Sequence, residues 1–247
     1  MTRDPLLTAE LAIYAILALP VLYLLFRHST AGLLGWFYLF AFCSLRIVGG
    51  ALTSSSAGII SSIGLSPLLL AASGILHEAR THHGLRNTKP EWIAVALFHV
   101  LVATSVALVG TGSSALEGDH PTAKDLSLVD AGVGLLTASW VLLCIGTAIS
   151  FLPSQQNTAA PAHRQGTILL HATALSNPLI GIRVLYTLAA LTTRRASLNP
   201  VTGSLAVRVV LGFLPELLAT LVFVVAGART RHAGRVGKGG LGQRPGY

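Results

Sequence analysis

The chain has 247 residues, 52% of them hydrophobic and only 11% charged, with a mean hydropathy of +0.68. An average soluble domain carries about 25% charge, so a soluble globular protein of this length is excluded: too little charge is present to cover its surface. The two cysteines, Cys43 and Cys144, sit inside apolar runs and are expected as free thiols.

Seven apolar runs follow one another, at about 8–26, 31–52, 57–77, 91–111, 126–151, 167–192 and 201–227. Each is near or above the roughly 20 residues that cross a bilayer as a helix. The first lacks a basic n-region and a clear small-x-small cleavage site, and reads as a retained helix. Connections are short, and no internal repeat is present. Trp36, Tyr38 and Trp92 lie near run ends, where a belt at the membrane interface accounts for them. Pro20, Pro67, Pro178 and Pro215 fall within runs, where each frees a carbonyl and can kink a helix. The predicted fold class is all-α, a seven-transmembrane helix bundle over 1–227, followed by a basic, Gly-rich, disordered tail over 228–247.

Lys and Arg in the connections set the orientation. Four fall on the side of the N-terminus and ten on the side of the C-terminus. The N-terminus is therefore expected outside or in the lumen, and the C-terminus in the cytoplasm.

The run at 167–192 departs most from what lipid tolerates, since it holds Asn177, Pro178 and Arg183. Polar residues in spans survive where they face a bundle interior and a partner. At about 1.5 Å per residue, Arg46, Arg183 and Arg208 fall about 9, 13 and 10 Å below the outer surface, and Asp130 about 6 Å. Glu216 falls about 22 Å down, level with Asn177. Glu10 lies near the outer rim. Each such charge costs roughly 2.5–3.5 kcal/mol if left alone in the bilayer centre. They are expected to pair, either as a closed network fixing helix register or as a pocket for a small anionic or lipid-like ligand. The candidate ligand-binding residues are Arg46, Asp130, Asn177, Arg183, Arg208 and Glu216.

The segments SLRIVGG (44–50), SSIGLSPLLLA (61–71), NPLIGIRVLYTL (177–188) and NPVTGSLAVRVVLGFLPELL (199–218) resemble a family of fungal seven-helix membrane proteins known as a domain of unknown function. The resemblance implies a fungal integral membrane protein of this topology. It bears on Arg46, Arg183 and Glu216, and implies no catalytic residue, ligand or partner.

Motifs of catalysis are missing. His77-Glu78 opens like H-E-x-x-H, but Thr81 stands where the second histidine would be. Glu78-Ala79-Arg80 only approximates the acid-Arg-Tyr end of a rhodopsin-type third helix, and Asn177-Pro178 lies in the sixth run rather than the seventh. No metal, cofactor or nucleic-acid partner is expected. The sequence reads as a multi-pass protein of the plasma membrane or a secretory-pathway membrane, a receptor-like sensor or binder using an outer-half pocket. The alternative is a transporter or lipid translocator using the same pocket. A receptor would need a cytoplasmic partner at 78–90 and 152–166.

Overall fold

The computed structural model describes residues 5–28, 31–51, 65–83, 89–116, 118, 122–152, 161–200 and 202–230, with the backbone alone at 89–90 and 161–162. Among them are seven long helices and no strand: α1 (Pro5–Arg27), α2 (Leu33–Ala51), α3 (Leu65–His82), α4 (Lys89–Leu116), α5 (Ala123–Ser150), α6 (Pro161–Thr193) and α7 (Leu205–Thr230). A short 3-10 turn, Ala196–Leu198, links the last two. Residues 228–230, expected as the start of the tail, instead complete α7; the remainder of that tail, from 231 onward, lies outside the described residues, as do the tips of the 78–90 and 152–166 connections.

Six of the seven helices, all but α3, are long and apolar enough to cross a membrane. Their outward faces carry large apolar side chains: Leu19 is 70% exposed, Phe26 78%, Leu97 63% and Leu175 60%. A water-facing surface of that kind would aggregate, whereas a hydrocarbon environment covers it. The chain is a multi-pass integral membrane protein in contact with the lipid bilayer.

Helix α3 is the axis of the bundle. From Leu65 to Ala79 every residue except Leu70 is buried, as expected of a helix packed on all sides. It lies against α2 and α6, and less extensively against α4 and α5. Where α2 crosses α3, Gly35 meets Gly74. A Cβ on Gly74 would lie 2.5 Å from the backbone of Gly35, so only glycine permits this approach. Around this axis α1 packs on α2, α4 on α5, and α6 on α7.

A proline lies within each of α6 and α7. Pro178 lies inside α6. Pro215 follows a π-helical segment, Arg208–Phe213, in which the Leu214 amide reaches back to the Val209 carbonyl. Proline offers no amide, and its ring crowds the carbonyl four residues back. The wider π turn accommodates this and shifts the helix face presented after it. Cys43 and Cys144 are free thiols, as expected.

Two expectations are corrected. Trp36 is not a belt residue: it is fully buried, and its indole donates to Glu78. The seventh helix begins at Leu205, four residues later than its apolar run.

Candidate functional site

The charges of four helices meet in one buried cluster. Glu216, on the first turn beyond the π segment of α7, is 1% exposed. Its Oε1 accepts from Arg183 Nε on α6 at 2.7 Å and also from Arg46 Nη2 on α2. Arg46 Nη1 lies 3.9 Å from Oε2 of Glu10 on α1. Arg183 Nη1 further donates to Thr187 Oγ1 at 2.6 Å, one turn along α6, and that hydroxyl donates to the Arg183 carbonyl at 3.0 Å.

Rings complete the enclosure. The Arg46 guanidinium lies 5.4 Å from the Phe42 ring, and that of Arg183 lies 5.4 Å from the Tyr186 ring. Tyr14, one turn along α1 from Glu10, stands edge-on to Phe42 and Phe213.

Two arginines and two glutamates balance, so the cluster as a whole is neutral. Such a group resists partial removal. Taking one partner from a buried ion pair costs about 3–5 kcal/mol, because the charge left behind stays buried. The arrangement therefore fixes α1, α2, α6 and α7 relative to one another.

Of the six residues singled out from the sequence, the structure brings Arg46, Arg183 and Glu216 together. Glu216 is level with Arg183, not with Asn177. Counted from the observed helix ends, Glu216 lies eleven residues into α7 and Arg183 ten residues from the end of α6, about 16.5 and 15 Å along their axes.

Asn177 sits nearly two turns away and serves another contact. Its Nδ2 donates to Thr147 Oγ1 on α5 at 3.0 Å, while Trp140 Nε1 donates to its backbone carbonyl at 3.0 Å. Gly181 leaves the space that the Trp140 ring fills. Arg208 is half-buried, and its Nε donates to the Pro200 carbonyl at 3.1 Å. Asp130 is on an exposed face of α5, while its neighbours Val129 and Val133 turn inward; it does not join the cluster.

A second buried polar group was not singled out from the sequence. Glu78 on α3 is wholly buried. Its Oε1 lies 2.8 Å from His28 Nδ1, just past α1, and its Oε2 accepts from Trp36 Nε1 on α2 at 3.0 Å. The other His28 nitrogen lies 3.2 Å from the Gly227 carbonyl on α7. Gly32 leaves room for the carboxylate, since a Cβ there would collide with it. His77, the neighbour of Glu78, turns instead toward Glu91 on α4 at 3.5 Å. The pair therefore does not act as one motif. Among the described residues, no group of three or more His, Cys, Asp or Glu side chains is placed to hold a metal ion.

No curated protein and no solved structure matches the chain. A family model described as "Domain of unknown function (DUF7702)" matches residues 1–233, which take in every helix of the bundle and both polar clusters. The chain belongs to the DUF7702 family of proteins carrying this domain of unknown function.

Proposed function

We propose that this protein is a receptor-like membrane sensor that binds a small anionic or lipid-like ligand at the Arg46–Glu216–Arg183 cluster, with its N-terminus outside or in the lumen and its C-terminus in the cytoplasm. One observation carries the reading. Two guanidiniums converge on a single carboxylate oxygen while the cluster keeps unused polar capacity: Arg46 Nε and the Tyr14 hydroxyl are buried without a hydrogen-bond partner among the described residues. Buried polar groups are ordinarily satisfied. An acidic ligand group reaching the cluster from the outer side would compete with Glu216 for the guanidiniums. That competition would loosen the tie between α7 and its neighbours, and the cytoplasmic end of α7 would carry the change to a partner.

The alternative is a transporter or lipid translocator. What favours it is the π segment at Arg208–Phe213, directly before Pro215 and Glu216, because π turns often mark functional irregularities in a helix. The two readings differ in whether the ligand crosses the membrane.

The test is lipid and metabolite extraction from the purified wild-type protein and from the charge-neutral Arg183→Met/Glu216→Gln variant. The expected result is an acidic or amphipathic compound that co-purifies with the wild type and is depleted in the folded double variant. Identical extracts from the two folded proteins would contradict binding at this cluster.

A further inference from the structure

A groove of about 760 Å³ runs between α3, α4 and α5, away from the ion cluster. Its size is within the roughly 300–1,000 Å³ of small-molecule sites. Its two ends differ in chemistry. One end is polar, built by His77 and Arg80 near the end of α3 and by Glu91 in the first turn of α4. The rest is apolar, lined along α4 by Val95, Phe98 and Leu101.

The polar end is a built site. His77 is 3% exposed, and neither ring nitrogen has a hydrogen-bond partner among the described residues. Its ring lies against Trp92 at 4.9 Å. Glu91 Oε1 is 3.5 Å from His77 Nδ1 and 3.4 Å from Arg80 Nε, too long for good hydrogen bonds. Arg80 keeps about a third of its side chain exposed at the mouth.

We propose that this groove holds a glycerophospholipid, with its phosphodiester at Arg80 and His77 and one acyl chain along α4. Three features fit that occupant. The polar end lies where α3 finishes and α4 begins, the level at which headgroups reside, and half-exposed Trp92 marks the same level. From Glu91 to Leu101 is ten residues, about 15 Å of helix, which matches one leaflet of a hydrocarbon core about 30 Å thick. The rim residues Leu97 and Leu142 are exposed to the bilayer, so a chain enters sideways without crossing water. Arg80 and a His77 donor suit the phosphate, and the Glu91 carboxylate can face the cationic ammonium of the headgroup. This site does not rest on the reading of the Arg46–Glu216–Arg183 cluster.

The test is native mass spectrometry of the full-length detergent-solubilised protein titrated with dioleoylphosphatidylcholine, dioleoylglycerol or inorganic phosphate. Phosphatidylcholine adducts are expected, with at least ten-fold less retention of dioleoylglycerol, which lacks the phosphate. Arg80→Gln and Ala94→Trp are each expected to weaken phosphatidylcholine retention at least ten-fold. The first removes the phosphate contact, and Arg80→Lys should restore part of it. The second blocks the apolar channel from an exposed wall position, where the larger side chain does not disturb the core. Unchanged retention in both folded variants overturns the proposal, as does equal retention of dioleoylglycerol. Displacement of the lipid by inorganic phosphate alone would show a phosphate site rather than a lipid site and also overturns it.

Discussion

Arg183 on α6 donates from Nε to Oε1 of Glu216 on α7 at 2.7 Å, and Arg46 on α2 shares the same oxygen. The carboxylate is thus held twice, and the two arginines are not equivalent to it in consequence. Arg46→Met or Arg183→Met leaves Glu216 with one guanidinium. Glu216→Gln leaves two buried guanidiniums with only Glu10. Glu216→Gln should therefore be the most damaging of the three, at about 3–5 kcal/mol, and either arginine variant should cost less. Thermal unfolding in one detergent ranks them; an arginine variant less stable than Glu216→Gln would refute the shared-carboxylate account.

Trp36 and Glu78 offer a second test. The indole supplies one of the donors to a carboxylate with no exposure. Trp36→Phe keeps an aromatic ring but removes that donor, and hydrogen bonds to charged groups contribute about 1.5–3 kcal/mol. A loss of that size is expected in detergent unfolding. In Glu78→Gln the same Trp36→Phe change should cost less, because the acceptor no longer carries a charge.

His83, just beyond α3, stacks on His163 of α6 with ring centroids 4.4 Å apart. Burial, then the neighbouring His163 and His82, push its pKa below the ordinary histidine value. The folded state therefore binds fewer protons here than the unfolded chain around and below the free histidine pKa, about 6.5. Stability from this contact is present above that pH and declines as the solution is acidified through it. His83→Phe should flatten the acid limb of the unfolding midpoint between about pH 7 and 5.5. An unchanged acid limb would show that the histidine stack does not contribute to it.

The excess of Lys and Arg in connections on the C-terminal side, ten against four, sets the proposed orientation. A reporter fused after Tyr247 should read cytoplasmic, and a tag before Met1 should be reached from outside or from the lumen. The reverse pattern would place the Arg46–Glu216–Arg183 cluster in the inner half and remove the basis for ligand entry from outside.

The pairing of charges within the spans was legible because a charge there must find a counter-charge. The depth of Glu216 was not. The apolar run starts at 201 but α7 starts at Leu205, and four residues amount to about 6 Å. Which way Asp130 faces was not legible, because α5 is apolar on nearly every face and periodicity could not say which side turns inward. The Glu78 cluster was hidden for another reason. Its members are separated by 42 and 50 residues, and only the close crossing at Gly35 and Gly74 brings α2 onto α3. The lipid groove likewise arises from how loosely α3 meets α4, which no local pattern encodes.

The central claim is that the buried charges of α2, α6 and α7 form one unit. A double-mutant cycle on Arg183→Met and Glu216→Gln, read by thermal unfolding of the purified protein, tests it most directly. Each single variant breaks the charge balance, in opposite directions, whereas the double variant restores neutrality and leaves Arg46 with Glu10. The predicted result is a double variant markedly more stable than the sum of the two losses, with a coupling of about 0.5–3 kcal/mol. Strict additivity, with both single variants well folded, would contradict the account.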